Sequence, residues 1–412
     1  MVFQSNSNRY SAYKVQSALG SQASGAAAKI FRSTGTGGSG ALTKAVTASG
    51  EVRRDGMRSR GRHGSQGATG SEGGQLAIGA YDDVIEAIMR GTWGSANLAI
   101  TEADMTSITV TEHAIVAAAG SWITEGLRVG QVIRLTEVAD AANMNRNLLV
   151  TALTALEITV AETLTPNASP DTDFTVTRPG CVLINPAAGA LQKRYFTWED
   201  HEVDIDASEV FTDCVFQSGK FTMQPDGILL FDANWTGTGR FESVEDSASP
   251  HFTSPAENSA VPLAVIEAAV RLGDEDVADC SAFDLTFDIG ANAPKTFGVP
   301  GTRYSPDVFT GLMGITMNIT MLRQDHEQVA RHLSEEVLSL HVLAAEPDAA
   351  PEDFFSIHVP NFTLGGVQKS AKSMEAGGMT QTLSIPLELV GKDERGGAYD
   401  PTMISFQRSN AS

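Results

Sequence analysis

Three stretches of this 412-residue chain carry residue types at spacings that chemistry uses. GTGGSG, from Gly35 to Gly40, fits G-x-G-x-x-G. In a dinucleotide site such a run leads from a buried strand into a helix whose N-terminus meets a pyrophosphate, with an acid about 20 residues on. Here ALTKAVTASG follows and alternates like a strand, so the run reads as a Gly-rich turn. HEQVARH separates His326 from His332 by six residues. Two zinc-binding histidines on one helix face need a spacing of four, so this reads as a surface helix. The third stretch is GEVRRDGMRSRGRHG, residues 50–64, with Arg53, Arg54, Arg58, Arg60 and Arg62 ahead of His63.

Five arginines in ten residues suit phosphate oxygens or carboxylates. No aromatic residue interleaves them, as a single-strand nucleic-acid platform would require. The charge of the remainder bears on the choice. Residues 1–99 hold 11 Lys+Arg against 6 Asp+Glu, whereas residues 100–412 hold 18 against 44. A body so acidic repels DNA at long range. The arginine loop is therefore read as an inter-subunit contact that lands on another copy of the acidic body; a nucleic-acid patch and an idle solvated loop are the alternatives.

No other constellation asks for catalysis. There is no G-x-S-x-G and no G-x-x-x-x-G-K-[ST], and Asp274, Glu275 and Asp276 read as a solvated turn tip rather than paired acids. Cys181, Cys214 and Cys280 form no C-x-x-C and are odd in number, which suits reduced thiols made in a cytoplasm. The N-terminal MVFQSNSNRYSAYKVQSALG has no apolar leader, and no run is long enough to cross a membrane as a helix. The expectation is no enzyme, no cofactor, no metal and no membrane.

The elements that would position these residues are mostly strands. Residues 1–40, rich in Ser, Gly, Asn and Ala, read as an arm that is flexible until it meets a partner. AAAKIF and LTKAVTASGEV read as a first pair of strands, and the arginines with HGSQGATGSEGG as a long loop or extended hairpin tip. IGAYDDVIEAIMRGTW predicts a helix with acids at its start, an apolar stripe of Val84, Ile85, Ile88 and Met89, and Gly91 as its stop. Residues 100–179 change texture: short apolar strands at close spacing predict a small β-barrel, inserted between 41–99 and 180–412.

Beyond Gly180 the strands lengthen. SAFDLTFDIG, GITMNITML and TQTLSIPLELV each put apolar residues on one face, including Leu387 and Leu389 in the last. MQPDGILLF predicts a hairpin turn at Pro225-Asp226-Gly227. AVIEAAVRLGDEDVADCSAF reads as a hairpin turning near Gly273-Asp274, its first half also compatible with helix. QDHEQVARHLSEEV predicts a helix capped by Asp325 with Gln328 at the third position and a stripe of Val329, Leu333 and Val337.

In this order of elements the chain resembles a phage tail tube protein, the major tail protein of long-tailed phages. The arm, RRDGMRSRGRHGSQGATG, AYDDVIEAIMRGTW, FTWEDHEVDIDASEVFTDCVFQSGKFTMQPDGILLFDANWTGTG and the closing FSIHVPNFTLGGVQKSAKSMEAGGMTQTLSIPLELVGK carry the likeness. That closing stretch is similar to the family's C-terminal hairpin, a strand, a mobile middle and a second strand. GSWITEGLRVGQVIRL resembles the start of an SH3-like domain that some tube proteins carry as an insertion. The resemblance implies a mainly β fold, a tail-tube-type β-sandwich or barrel with one or two short helices plus the inserted barrel. It implies hexameric rings that stack into a virion tail tube, the channel through which DNA passes without specific binding. Partners would be the chain itself and other tail proteins (tape measure, terminator, distal tail), assembled in the host cytoplasm. The tube protein of a contractile secretion machine is the nearest alternative, and an extracellular carbohydrate-binding or adhesive β protein a more distant one.

Overall fold

MQPDGILLF supplies a turn whose Asp226 takes a positive φ of 58°. On either side the chain alternates apolar and polar residues, as a strand with one buried face requires. From this turn run the two longest strands, of 17 and 16 residues. The computed structural model describes residues 3–35, 37–94, 97–273, 275–277, 279–297, 303–347, 351–372 and 377–409.

The first part of the chain holds β1 (Arg9–Val15), β2 (Lys29–Ile30), β3 (Ala41–Thr47), β4 (Arg62–Gln75) and α1 (Asp82–Met89). Next come β5 (Leu98–Thr101), α2 (Glu102–Met105), β6 (Ile108–Val110), β7 (Ala114–Ala117), β8 (Val132–Thr136), β9 (Leu148–Leu153), β10 (Glu157–Val160) and β11 (Thr175–Arg178). The remainder holds β12 (Cys181–Ile184), β13 (Phe196–Glu202), β14 (Ala207–Met223), β15 (Leu230–Glu245), β16 (Ala268–Leu272), β17 (Glu275–Asp276), β18 (Cys280–Asp288) and β19 (Gly314–Leu322). After these follow α3 (Glu327–Leu333), β20 (Leu338–Glu346), β21 (Asp353–Phe362), β22 (Gly366–Lys369), β23 (Thr380–Ile385) and β24 (Ser405–Arg408). The fold is mainly β, as the sequence predicts.

Strand β14 is the spine of an eleven-stranded sheet. Its first half pairs with β13, which carries β1 and β2; its second half pairs with β18, which carries β19, β23 and β22. Along its other edge runs β15, which carries β4 and β3. A six-stranded sheet, β12-β24-β21-β20-β16-β17, packs on the apolar face. Phe221 and Phe287 of the first sheet meet Phe406 of the second at ring-centre distances of 5.8 and 5.5 Å. Phe283, Leu285, Phe287 and Ile289 of the β18 segment are buried, as are Ile315, Met317, Ile319 and Met321 of β19. Truncating one of these phenylalanines to Ala costs about 3–5 kcal/mol, so this alternation decides which face turns inward.

Residues from Leu98 to Arg178 form a third sheet, β5-β11-β8-β9-β10-β7-β6, over a separate core that includes Ile100, Trp122, Ile133 and Phe174. The two ends of this segment meet, since Arg178 pairs with Leu98. It leans on the six-stranded sheet through the Gln407 amide, which accepts from Val132 N at 2.7 Å and donates to Val132 O at 2.8 Å.

Several expectations need correction. Arg9–Val15, placed in a flexible arm, is an integral strand whose Tyr13 is buried against Phe31, Phe196 and Trp198. AAAKIF and LTKAVTASGEV do not pair with each other: β2 joins β1, and β3 joins β4. The Gly-rich HGSQGATGSEGG is not loop but most of β4. Its glycines leave room for aromatic rings, because a Cβ on Gly70 would lie 2.3 Å from the Trp235 ring and one on Gly74 1.9 Å from Tyr81 Oη.

Helix α1 buries Val84, Ile85, Ile88 and Met89 as predicted, and Arg90 takes the left-handed position one residue ahead of Gly91. Helix α3 begins after His326 rather than Asp325 and shows no capping-box bond. Its stripe faces outward: Leu333 is 77% exposed and Val337 63%. The inner side is taken by Gln328 and by Arg331, which lies among Glu275, Glu327 and Glu336 at 3.4, 2.6 and 3.9 Å. Strand β23 ends at Pro386, which has no N–H to give the ladder, so Leu387 and Leu389 fall in an exposed 3-10 turn. The closing segment is no simple hairpin either. β21 lies in the six-stranded sheet and only β22 pairs with β23; part of its middle, residues 373–376, is outside the described residues. The first half of AVIEAAVRLG is a 3-10 turn, Val265–Glu267, leading into β16 and its hairpin with β17; Asp274, expected in that turn, lies outside the described residues.

Candidate assembly surfaces

The arginine stretch closes the β3–β4 hairpin. Val46 pairs with His63 and Thr47 with Arg62, and residues 48–61 connect them. Arg53, Arg54, Arg58, Arg60 and Arg62 are all exposed. Arg53 forks onto its own loop: Nε donates to both Asp55 oxygens at 3.0 and 3.1 Å. The bond holds the Asp55 carboxyl below its ordinary range and raises the guanidinium. Among the described residues, the Arg54, Arg58, Arg60 and Arg62 side chains make no ion pair within the chain. The same hairpin carries Val46, Val52 and Met57, exposed by 72%, 100% and 63%. An isolated two-stranded hairpin is marginally stable in water. This one presents cations and apolar side chains together on a projecting ribbon.

The second surface was not legible as a unit in the sequence. Seven strands of the large sheet share one outward face, and the register aligns their polar residues in rows. Gly73, Asp232, Lys220, Thr286 and Thr316 lie side by side across β4, β15, β14, β18 and β19. Thr222, Asp284, Asn318, Ser384 and Gly366 form the next row, running on to β23 and β22. Ala282, Thr320, Thr382 and Gln368 form a third. These rows contain no arginine, and their one lysine, Lys220, is held by Asp284 at 2.9 Å. Alternation in β18, β19 and β23 signalled the face; the pairing that joins them to β4, β15, β14 and β22 was the missing information.

A third feature anchors the first strand. Ser11 Oγ donates to Asp200 Oδ1 at 2.6 Å and reaches Glu72 at 3.2 Å; Ser33 donates to Glu72 at 2.7 Å. The Gly40 N–H and Trp198 Nε1 also donate to Asp200, at 2.7 and 2.9 Å. Burial raises the pKa of both carboxyls. Gly40, the last residue of GTGGSG, thus bonds an acid of β13 and leads into β3, with no helix behind it to meet a phosphate. His332 Nδ1 bonds the Leu364 carbonyl at 2.8 Å while His326 sits ahead of the helix, and no group of three potential metal ligands occurs among the described residues. Cys181, Cys214 and Cys280 are free. No helix among the described residues is long and apolar enough to cross a membrane.

A family model described as phage tail tube protein matches residues 7–387. The chain belongs to that family. No curated protein matches it significantly. As a tail tube protein it is a structural component of the virion tail that assembles with itself and with other tail proteins.

Proposed function

We propose that copies of this chain close into rings, six to a ring on the family resemblance, with the seven-strand polar face turned to the lumen. The rings stack into the channel that delivers the genome. The observation that carries this reading is the face itself: rows of Thr, Ser, Asn and Asp with a single, ion-paired lysine. DNA bearing two charges per base pair finds no free cation there and slides without binding. The free edges at β3 and β22 are a hazard in a monomer and become ring contacts in the assembly. The Leu98–Arg178 sheet, with its own core and adjoining ends, is an inserted module of SH3-like kind. Assembly takes place in the host cytoplasm, with tape-measure, terminator and distal-tail proteins as the further partners.

The arginine hairpin makes the contact between copies. Each exposed ion pair contributes about 0–1 kcal/mol, but many copies act together in a ring junction. Changing Arg54, Arg58 and Arg60 to Ser leaves the subunit folded, because the loop holds no core, and sharply reduces tube formation. High salt does the same to the native sequence. Electron micrographs of concentrated protein, with sedimentation of the variant, provide the check. Discrete monomers from the native sequence would refute the ring. Normal tubes from the variant, with tight duplex binding by the native protein, would make the loop a DNA site instead.

A further inference from the structure

The hairpin has a matching surface at the far end of the same molecule. Strand β4 pairs with β15 from Gln75↔Leu230 to Ala68↔Gly237 and then continues alone with β3. Gln75 therefore lies at the β14–β15 turn, and the arginine tip leaves in the opposite direction. The 14 residues of β4 span roughly 45 Å at about 3.4 Å each. Beside that turn is a groove of about 240 Å³. Val270 and Val277 line its floor, and Ile266, 77% exposed, forms its lip. Asp226 and Glu267 stand at its margin; Asp279, just beyond Val277 in the chain, lines the neighbouring groove, where its carboxylate accepts from Gln324 Nε2. Among the described residues none of these three carboxylates pairs with a cation of the chain, whereas neighbouring Asp276 is taken by Arg271 and Glu275 by Arg331.

We infer that this groove receives the arginine hairpin of a second copy, with Val52 and Met57 over the apolar floor and Arg54, Arg58 and Arg60 toward the three carboxylates. The inference rests on the tube reading and names the surface by which one copy meets the next. Three observations carry it. Both surfaces mix exposed apolar side chains with unpaired charge, and the charges are opposite. The two lie at opposite ends of one strand direction, so a copy shifted along that direction brings tip to groove. A contact between two different patches is heterologous and leaves a free tip and a free groove after every addition, which is what an open-ended stack requires. A self-complementary patch would stop at a dimer.

Paired cysteines test it. In a Cys181→Ser, Cys280→Ser background, Met57→Cys is combined with Ile266→Cys, the protein is assembled, and it is mildly oxidised. The expected result on a non-reducing gel is a ladder of dimers, trimers and longer chains. Met57→Cys with Leu156→Cys, in the exposed β9–β10 turn, gives no ladder. Tubes that form without a Met57–Ile266 ladder overturn the groove and leave the tube reading standing. Absence of rings and tubes from the native sequence overturns the reading beneath it. Charge exchange guards against a cysteine variant that fails to assemble. Arg54, Arg58 and Arg60 to Glu in one chain, and Asp226, Glu267 and Asp279 to Lys in another, each block assembly alone. Mixed, the two stack alternately and restore tubes. A mixture as inert as its components counts against the pairing.

Discussion

Two histidines on adjacent strands are the clearest titrating residues of the interior. His341 in β20 is opposite His358 in β21, and both are buried. His341 Nε2 bonds Ser356 Oγ at 2.8 Å, and the backbone at Gly130 presses on the His358 ring, where a Cβ would fall 2.1 Å from Nδ1. Burial, then the nearby Arg395, pushes the His358 pKa down to about 4; burial, His358 and Arg271 push His341 well below its ordinary value. Both rings are neutral in either state above pH 6.5. As pH falls from 6.5 toward 4, the unfolded chain takes up protons that the folded chain cannot, so folding loses stability throughout that window. For His358 the loss amounts to about 3 kcal/mol. Glu72, Asp82 and Asp200 are raised by burial and act in the opposite sense, their contribution being lost as pH rises. They are common to a His358→Gln variant and cancel in the comparison. Urea midpoints measured from pH 7 to pH 4 should fall less steeply for the variant; parallel curves would show that the ring protonates freely in the folded protein.

At the scale of elements, the sequence was read well where a strand has one buried face. The β18 and β19 alternations and the Pro225-Asp226-Gly227 turn all stand as expected, because a period of two is a local property. Failures came where a neighbour decides. The glycines of this stretch look like loop until Trp235 is seen lying across Gly70 and Tyr81 across Gly74. The outward stripe of α3 follows from Gln328 and Arg331 taking the inner side, Arg331 being held by three carboxylates at its rim, a preference no single-helix pattern contains. Tyr13 reads as part of a polar arm, yet it joins an aromatic cluster built from three other strands. The Leu98–Arg178 segment tests how far an element stands alone. Its paired ends let a short Gly/Ser linker replace residues 99–177. Removal uncovers Phe354, packed on Val132, and frees the Gln407 amide. Exposing one such ring costs roughly 1.5–3 kcal/mol. The shortened subunit is expected to melt cooperatively, several degrees lower, and still form rings. Loss of a cooperative transition would show the segment to be part of the main folding unit.

At the scale of the whole molecule, three surfaces differ in charge. The arginine hairpin leaves the sheet at the end away from the β14–β15 turn, Asp226 and Glu267 stand beside that turn, and the polar rows of the broad face carry one ion-paired lysine. If that face lines a channel, its function depends on what it lacks, and adding cations should alter transport without altering assembly. Thr316, Asn318 and Ser384 are exposed side chains on that face, away from the core and from the hairpin. Lysine at all three places three positive charges per subunit in the lumen, each copy repeating them around the ring. Surface substitutions of this kind change stability by about 0.5 kcal/mol or less apiece, so rings and tubes should form as before. Assembled tubes of the native sequence should retain no duplex DNA, while the lysine tubes should hold it with an affinity that falls steeply as salt rises. The same DNA offered to unassembled lysine subunits should bind far more weakly, since only closure surrounds the duplex with charge. Equal retention by subunits and tubes would place these residues on an outer surface, and a different face of the sheet would then have to line the channel.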